Sequence, residues 1–287
     1  MTDSCYICLC VFNNEIGLPR VLRNIDILRE SNIFQKITVL VFYDTSQDAS
    51  LQILQQYQTT ILSQLDPMFY MEIHNELRPL RNVRTERIAR ARNGLIHMIR
   101  RQSQQPNYFI MMDSNDYSCV GTIKPETIRA VIQRQHEWDS ISFDREDGYY
   151  DHWALSYNPF IYSFFHFSDY EKAVMVLRAD FEKLMARWKE TSPNEFIPVY
   201  SAFNGFAIYK THIFLDCTYS GKIDMALFSG NAIREQMRRI GGSIKNVFTG
   251  DCEHRHFHLE AIKKNHARIR ISQLTAFEPT NAKKSIP

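Results

Sequence analysis

The first half of the chain alternates short apolar runs, rich in β-branched and aromatic residues, with longer amphipathic stretches. Tyr6 to Phe12, Ile37 to Tyr43, Met68 to His74, Tyr108 to Asp113 and Ser140 to Asp144 are expected strands. Leu18 to Arg29, Ala49 to Gln64, Arg84 to Arg101 and Pro125 to Glu137 read as helices, the last opening on a proline suited to a first turn. Such alternation implies a mostly parallel sheet flanked by helices. The second half is less regular. Asp147 to Tyr170 is aromatic and turn-rich, Asp169 to Lys189 and Ala232 to Arg239 read as helices, and Val199 to Tyr209 reads as one strand. Gly241-Gly242 then breaks the chain before Ile244 to Phe248. No charged or Pro/Ser-rich linker parts the halves. The expectation is one composite α/β domain over 1–275, with halves of about 1–145 and 146–275 and a loose tail over 276–287.

Composition narrows the class. Of 287 residues 44% are hydrophobic and 23% charged, enough for a real core and against disorder. Lys+Arg number 34 against 32 Asp+Glu, a formal charge of +2, which argues against a tail-driven nucleic-acid binder. Only 10 glycines occur, so a glycine-rich phosphate loop is not expected. The start lacks a basic n-region, and no run approaches the ~20 apolar residues of a membrane span; a cytoplasmic chain without a membrane span is expected. Three of the six cysteines, Cys5, Cys8 and Cys10, share one expected strand, so reduced thiols are expected rather than a disulfide scaffold or a redox pair.

The candidate chemistry starts at Tyr108-Phe-Ile-Met-Met-Asp113-Ser114-Asn115-Asp116, an apolar strand ending in two carboxylates and an amide. In an open α/β sheet, acids beyond a strand's carboxyl end face a ligand. Hard oxygens there suit Mg2+ or Mn2+, which bridge one or two carboxylates and a diphosphate. An Asp/Asn turn capping the next element is the other reading. Asp44 likewise ends an early strand, where it can accept hydrogen bonds from a nucleoside, while Ser46 or Asp48 caps the helix that follows. In the arginine-rich stretch from Glu76 to Arg101, Ile88, Ala91, Leu95 and Ile99 mark a buried stripe. Arg92 borders that stripe and is placed to grip a diphosphate; most of its neighbours are expected to be solvated.

Taken in order, Cys10 to Asn14, Val41-Phe-Tyr-Asp44-Thr-Ser, Arg84-Thr-Glu-Arg-Ile-Ala-Arg-Ala-Arg92-Asn93 and Met112-Asp113-Ser-Asn-Asp116 resemble the GT-A fold glycosyltransferases. Phe203-Asn204-Gly205-Phe206-Ala-Ile-Tyr209 and Asp251-Cys252-Glu253-His254 extend the resemblance over about residues 5 to 272. The chain is similar in particular to the fungal capsule-associated mannosyltransferase-like enzymes and related proteins of large DNA viruses. The resemblance implies a GT-A-like fold: a Rossmann-like donor half joined to a smaller acceptor half. It implies transfer of a hexose from a nucleotide-diphosphate sugar donor to a saccharide or glycan acceptor, with Mn2+ or Mg2+ as cofactor. Asn13, Asp44, Arg92, Asp113, Ser114 and Asn115 would then meet the donor. The metal would be held by Asp113 and Asp116, since Asn115 stands where a plain D-x-D motif has its second acid. A C-terminal histidine, His256 or His258, would complete the metal shell.

If transfer inverts the sugar's anomeric centre, a carboxylate must take the acceptor's proton. Glu253 is the first choice and Asp251 the second, because in an extended segment both face the same way. The dense string Cys252-Glu-His254-Arg-His256-Phe-His258 also admits structural zinc or packed histidines. Asp151 and Trp153 are expected in an acceptor platform, with Trp153 the exposed ring, and Asn204 with Gly205 in a turn or bulge beside the sugar. Phe160, Phe164, Phe165 and Phe167 are expected in the core or at a homodimer surface. Two other functions are weighed: a sugar nucleotidyltransferase, which lacks its glycine-rich basic loop here, and an inactive sugar-binding module.

Overall fold

The computed structural model describes residues 3–62, 69–74, 84–222, 228–245 and 250–278. Eight strands form one sheet: β1 (Ser4–Val11), β2 (Lys36–Asp44), β3 (Phe69–His74), β4 (Tyr108–Asp113), β5 (Ser140–Asp144), β6 (Ile197–Val199), β7 (Phe206–Lys210) and β8 (Ile269–Thr275). The helices are α1 (Leu18–Glu30), α2 (Ser50–Leu62), α3 (Arg84–Arg100), α4 (Pro125–Gln133), α5 (Tyr170–Thr191), α6 (Thr211–Phe214), α7 (Gly230–Ile240) and α8 (Glu253–Asn265). The strand order is β3-β2-β1-β4-β7-β5-β8-β6. β1 pairs in parallel with β2 and β4, β2 with β3, and β5 with β8, while β7 runs antiparallel between β4 and β5. The mixed, mostly parallel α/β sheet expected from the sequence is present.

Burial on both faces explains the continuously apolar strands. Along β1, Cys5, Ile7, Leu9 and Val11 join one core with Leu18, Val21, Ile25 and Leu28 of α1. Cys8 points the other way, into a second core with Leu95 and Ile99 of α3. Cys5 and Cys8 therefore lie on opposite faces, and all six thiols are free.

Several boundaries differ from the sequence expectation. Val199 to Tyr209 is not one strand, because Asn204 and Gly205 take φ values of 56° and 83°, which a pleated strand cannot hold. β6 ends before this turn and β7 begins after it. The segment from Glu253 is helical, not extended, with Cys252 as its N-cap residue. The helix expected over Pro125 to Glu137 ends at Gln133 and gives way to a 3-10 turn at Gln135–Glu137. β8 was not foreseen; it pairs with both β5 and β6. The expected tail begins too early, since Lys124 donates its N–H to the Ala276 carbonyl and Glu278 to that of Thr122. The remaining tail residues, Met68, Gln64 and most of Ile244 to Phe248 lie outside the described residues.

Candidate functional site

β1 is flanked by β2 on one side and β4 on the other, so successive crossovers diverge at the β1/β4 boundary. A crevice opens beyond the carboxyl ends of strands at such a point. Here it is a cavity of about 840 Å³, the size of a small-molecule site. The first half supplies Cys10 to Asn14 after β1, Asp44 at the end of β2, Arg84, Arg87 and Arg92 from α3, and Asp113 to Ser118 after β4. The second half closes it with Tyr150 to Trp153, Phe164, Arg178, Phe203 and Cys252 to His254.

Arg92 is the structural centre of this cavity. Its guanidinium lies 3.1 Å from Asp113 Oδ1 and 2.8 Å from Glu253 Oε1, with only 6% of the side chain exposed. The Phe203 ring lies 4.6 Å from it. Removed from water, such a charge is tolerable only when paired. Arg92 therefore joins the end of β4 to the start of α8 across the two halves. Burial pushes the carboxyl pKa values of Asp113 and Glu253 up, against the opposing pull of this guanidinium.

Asp113 also accepts a hydrogen bond from Ser118 Oγ at 3.1 Å, and that hydroxyl accepts one from Tyr150 at 2.8 Å. Ser114 Oγ donates to the Cys10 carbonyl, tying the ends of β1 and β4 together. The Asn115 carboxamide oxygen accepts from the N–H groups of Tyr117 and Ser118, the Asx-type turn weighed from the sequence. It shapes the loop that presents the exposed Asp116.

Asp44 is paired with Arg87 at 2.7 Å, and the Arg87 guanidinium sits 4.2 Å from the Phe12 ring. Asn13, at φ 52°, accepts from Gln47 N–H and donates its own N–H to Ser46, linking the loops after β1 and β2.

Asp151 has a different environment. Its Oδ1 accepts the Ala154 N–H at 3.2 Å, and among the described residues it has no ion-pair partner. Burial first, then the neighbouring Asp113 and Glu253 carboxylates, push its pKa up to about 7, opposed by that N–H and by Arg92. His152 donates from Nδ1 to the Tyr150 carbonyl, the only arrangement a carbonyl permits, which leaves Nε2 as an acceptor. Burial and the Arg178 guanidinium lower its pKa to about 4, so the ring is neutral.

Asn204 and Gly205 do not line the cavity but lie behind it. The Asn204 carboxamide accepts from the Tyr150 and Asp151 N–H groups and donates to the Phe143 carbonyl. The Gly205 carbonyl accepts from Asp113 N–H at 2.9 Å. A Cβ on Gly205 would lie 2.7 Å from Ser118 Cβ and from the Tyr150 hydroxyl. Trp153 does line the cavity but is half-buried, packed 5.4 Å from Phe165. Phe160 and Phe167 are core residues, whereas Phe165 is 37% exposed.

The helical start of α8 redistributes the C-terminal string. Successive helical residues turn by about 100°. Glu253 and His254 thus reach the cavity while His256 and His258 do not. His258 is fully buried between Ser201 Oγ at 2.9 Å and the Tyr209 hydroxyl at 3.1 Å, and burial lowers its pKa to about 3. His256 lies near Glu260 on the outer side of α8. The histidine at the cavity is His254, stacked 3.8 Å on Phe203 and held neutral by burial and Arg92. Asp251 is also withdrawn: it accepts the N–H of the next residue, Cys252, and pairs with the fully buried Arg255 at 3.2 Å.

Among the described residues no three His, Cys, Asp or Glu side chains are grouped to enclose a metal ion. Asp113 and Asp116 remain as two hard oxygen donors on one loop. That set fits a cation completed by water and substrate diphosphate, the usual situation for Mg2+, and does not fit a structural zinc site. Arg84, Arg87, Arg178 and His152 are cavity residues to which the sequence reading gave no role, and His254 entered it only as a zinc ligand or a packed ring. The arginines were hidden in a charge-rich helix or in an ordinary amphipathic one.

No family model matches the sequence, and no curated protein is similar to it at a significant level. Among solved structures, the chain is similar to S. aureus TarS, at 15% identity over 96% of this chain and 36% of that one, with a TM-score of 0.49. It is similar to the mannosyltransferase PcManGT from Pyrobaculum calidifontis in complex with GDP-Man and Mn2+, at 11% identity, 96% and 55% coverage and a TM-score of 0.42. It is also similar to glucosyl-3-phosphoglycerate synthase from Mycobacterium tuberculosis in complex with UDP, at 9% identity, 99% and 74% coverage and a TM-score of 0.42. The chain thus spans 59% of the length of TarS 1–349 and 55% of PcManGT. Among the described residues no helix is long and apolar enough to cross a membrane.

Proposed function

We propose that the chain transfers a sugar from a nucleotide-diphosphate donor to a hydroxyl of a saccharide or glycan acceptor. The observation that carries this reading is the cavity at the β1/β4 switch point, where acids of the first half, Asp44, Asp113 and Asp116, face Asp151 and Glu253 of the second. One set suits a nucleoside diphosphate; the other suits proton removal from a second substrate.

Asn13 and Asp44 border the nucleoside end, with Arg87 paired to Asp44. Arg92 is already occupied by two carboxylates, so the diphosphate grip passes to Arg84, which lines the cavity and has no ion-pair partner among the described residues. Ser114 and Asn115 hold the loop. A divalent cation held by Asp113 and Asp116, Mn2+ or Mg2+, would supply charge stabilisation to the departing diphosphate. Asp151 takes the proton of the acceptor hydroxyl. The new bond forms from that oxygen to the sugar C1, and the bond from C1 to the diphosphate oxygen breaks. A base works best with a pKa near the working pH, and Asp151 meets this while Glu253 is tied to Arg92. Glu253 and Arg92 are thereby positioning residues.

The test is donor binding followed by calorimetry and thermal shift with UDP, GDP, ADP and CDP, each with Mn2+ and with chelator. A nucleoside diphosphate should bind in the presence of Mn2+, and Asp116→Ala should weaken that binding at least tenfold. A folded preparation that binds none of the four overturns the reading and leaves the inactive sugar-binding module. Formation of a nucleotide sugar from a sugar phosphate and a nucleoside triphosphate would instead show the nucleotidyltransferase.

A further inference from the structure

The charges of the cavity do not cancel evenly. Arg87 is matched by Asp44, and Arg92 by Asp113 and Glu253. Arg84 serves the donor diphosphate in the reading above. Arg178 is left over. It is an exposed residue of α5 at the wall built by the second half, which it lines with His152, Trp153 and Phe164, and no carboxylate among the described residues pairs with it.

An arginine at a cavity wall with no partner is an anion receptor, because its planar donors match a carboxylate or phosphate in two-point contact. Its surroundings strengthen this. His152 is neutral and adds no competing charge, while its Nε2 can accept from a sugar hydroxyl. Trp153 gives an apolar wall of the kind that packs against a sugar face. That wall continues outward: Trp153 lies 5.4 Å from Phe165, and Phe165 lies 6.1 Å from the 44% exposed Tyr170. Lys245 sits 5.5 Å from both outer rings and adds a second cation along the same path. Positive charge and aromatic surface therefore recur together from the cavity to the exterior on this side of the described cavity wall.

We infer that the acceptor is a saccharide bearing an anionic substituent, a phosphate or a carboxylate, and that Arg178 is the residue that selects it. This rests on the transferase reading for the word acceptor, but the anion subsite itself stands on Arg178, His152 and Trp153. An acceptor anion held there meets α5 and the Tyr150 to Trp153 segment rather than the loop after β4, and does not need the donor cation.

The experiment titrates the protein calorimetrically with glucose, galactose and mannose, with their 6-phosphates, and with glucuronate, galacturonate and mannuronate. Wild type, Arg178→Gln and Arg178→Lys are compared. At least one anionic sugar should bind tenfold or more tightly than its neutral parent, and Arg178→Gln should remove that preference while Arg178→Lys keeps part of it. Preference for the phosphates or for the uronates identifies which anion the acceptor carries. The proposal is overturned if every neutral sugar binds as tightly as its anionic forms, or if Arg178→Gln leaves the preference intact, as it would if Arg84 held the anion. Arg178→Gln should bind nucleoside diphosphate like wild type. Loss of all nucleotide binding by wild type, with the Arg178-dependent preference retained, would sink the transferase reading and spare the anion subsite.

Discussion

Asp151→Asn gives the sharpest test of the proposed base, because one nearly isosteric change should remove activity and add stability. Burial raises the folded pKa of Asp151 to about 7 from an ordinary 3.8. Between these values the folded chain holds a proton that the unfolded chain has released, so stability falls as pH rises through this window and levels off above it. Ionising the carboxyl in place thus costs up to about 4 kcal/mol, an upper bound because the group borders an open cavity. An amide has no such cost and can still accept the Ala154 N–H. The variant should therefore gain more stability at pH 8 than at pH 5, by about 2.5 kcal/mol at most. Urea denaturation at both pH values in chelator measures this directly. Sugar transfer should fall by about 10²- to 10⁴-fold, with nucleotide affinity unchanged, since only proton removal is lost. For wild type, kcat should rise with pH through about 7. A variant with transfer within threefold of wild type and no pH-dependent gain in stability refutes the assignment. A stability gain with full activity would separate the two: Asp151 would be a strained acid but not the base.

Arg92→Met should destabilise the fold by about 3 kcal/mol, because it leaves the buried Glu253, and the partly exposed Asp113 beside it, without their shared cation; chemical denaturation at pH 7.5 checks it, and part of the loss should return at pH 5.5 as those acids protonate. Gly17→Ala acts from behind on the loop after β4 that is proposed to hold the cation. The added Cβ would collide with the Asn115 carbonyl group and the Asp116 nitrogen, so Asp116 must shift. Mn2+-dependent nucleotide binding should weaken by several-fold in a protein whose circular dichroism is unchanged, and an unaltered Mn2+ requirement would show that Asp116 is not a ligand.

What could be read beforehand divides along a physical line. The first-half strands and helices are local patterns of burial: β1, β2 and β4 are apolar on both faces, and α3 shows its stripe at Ala91, Leu95 and Ile99. The acids at the ends of β2 and β4 followed from that, since the strand end fixes where they stand. Partner choice is not local. Arg92 was legible as an arginine beside a core face, but its pairing with Glu253 depends on α8, 161 positions away in sequence (253 − 92). The same holds for the histidines. Cys252 to His258 fits a strand or a helix equally well by pattern, and only the packing of α8 on Phe203 and Tyr209 decides which ring meets the cavity. A strand would have sent His254, His256 and His258 one way; the helix sends His254 to the cavity, His258 into the core and His256 outward. Consequently the same string that suggested a metal shell becomes one cavity histidine, one structural histidine and one partly buried histidine beside Glu260. The expected base pair turned on the same point: Glu253 is held by Arg92 and Asp251 by Arg255, whereas Asp151, expected only on the acceptor side, has no ion-pair partner among the described residues and is the base proposed above.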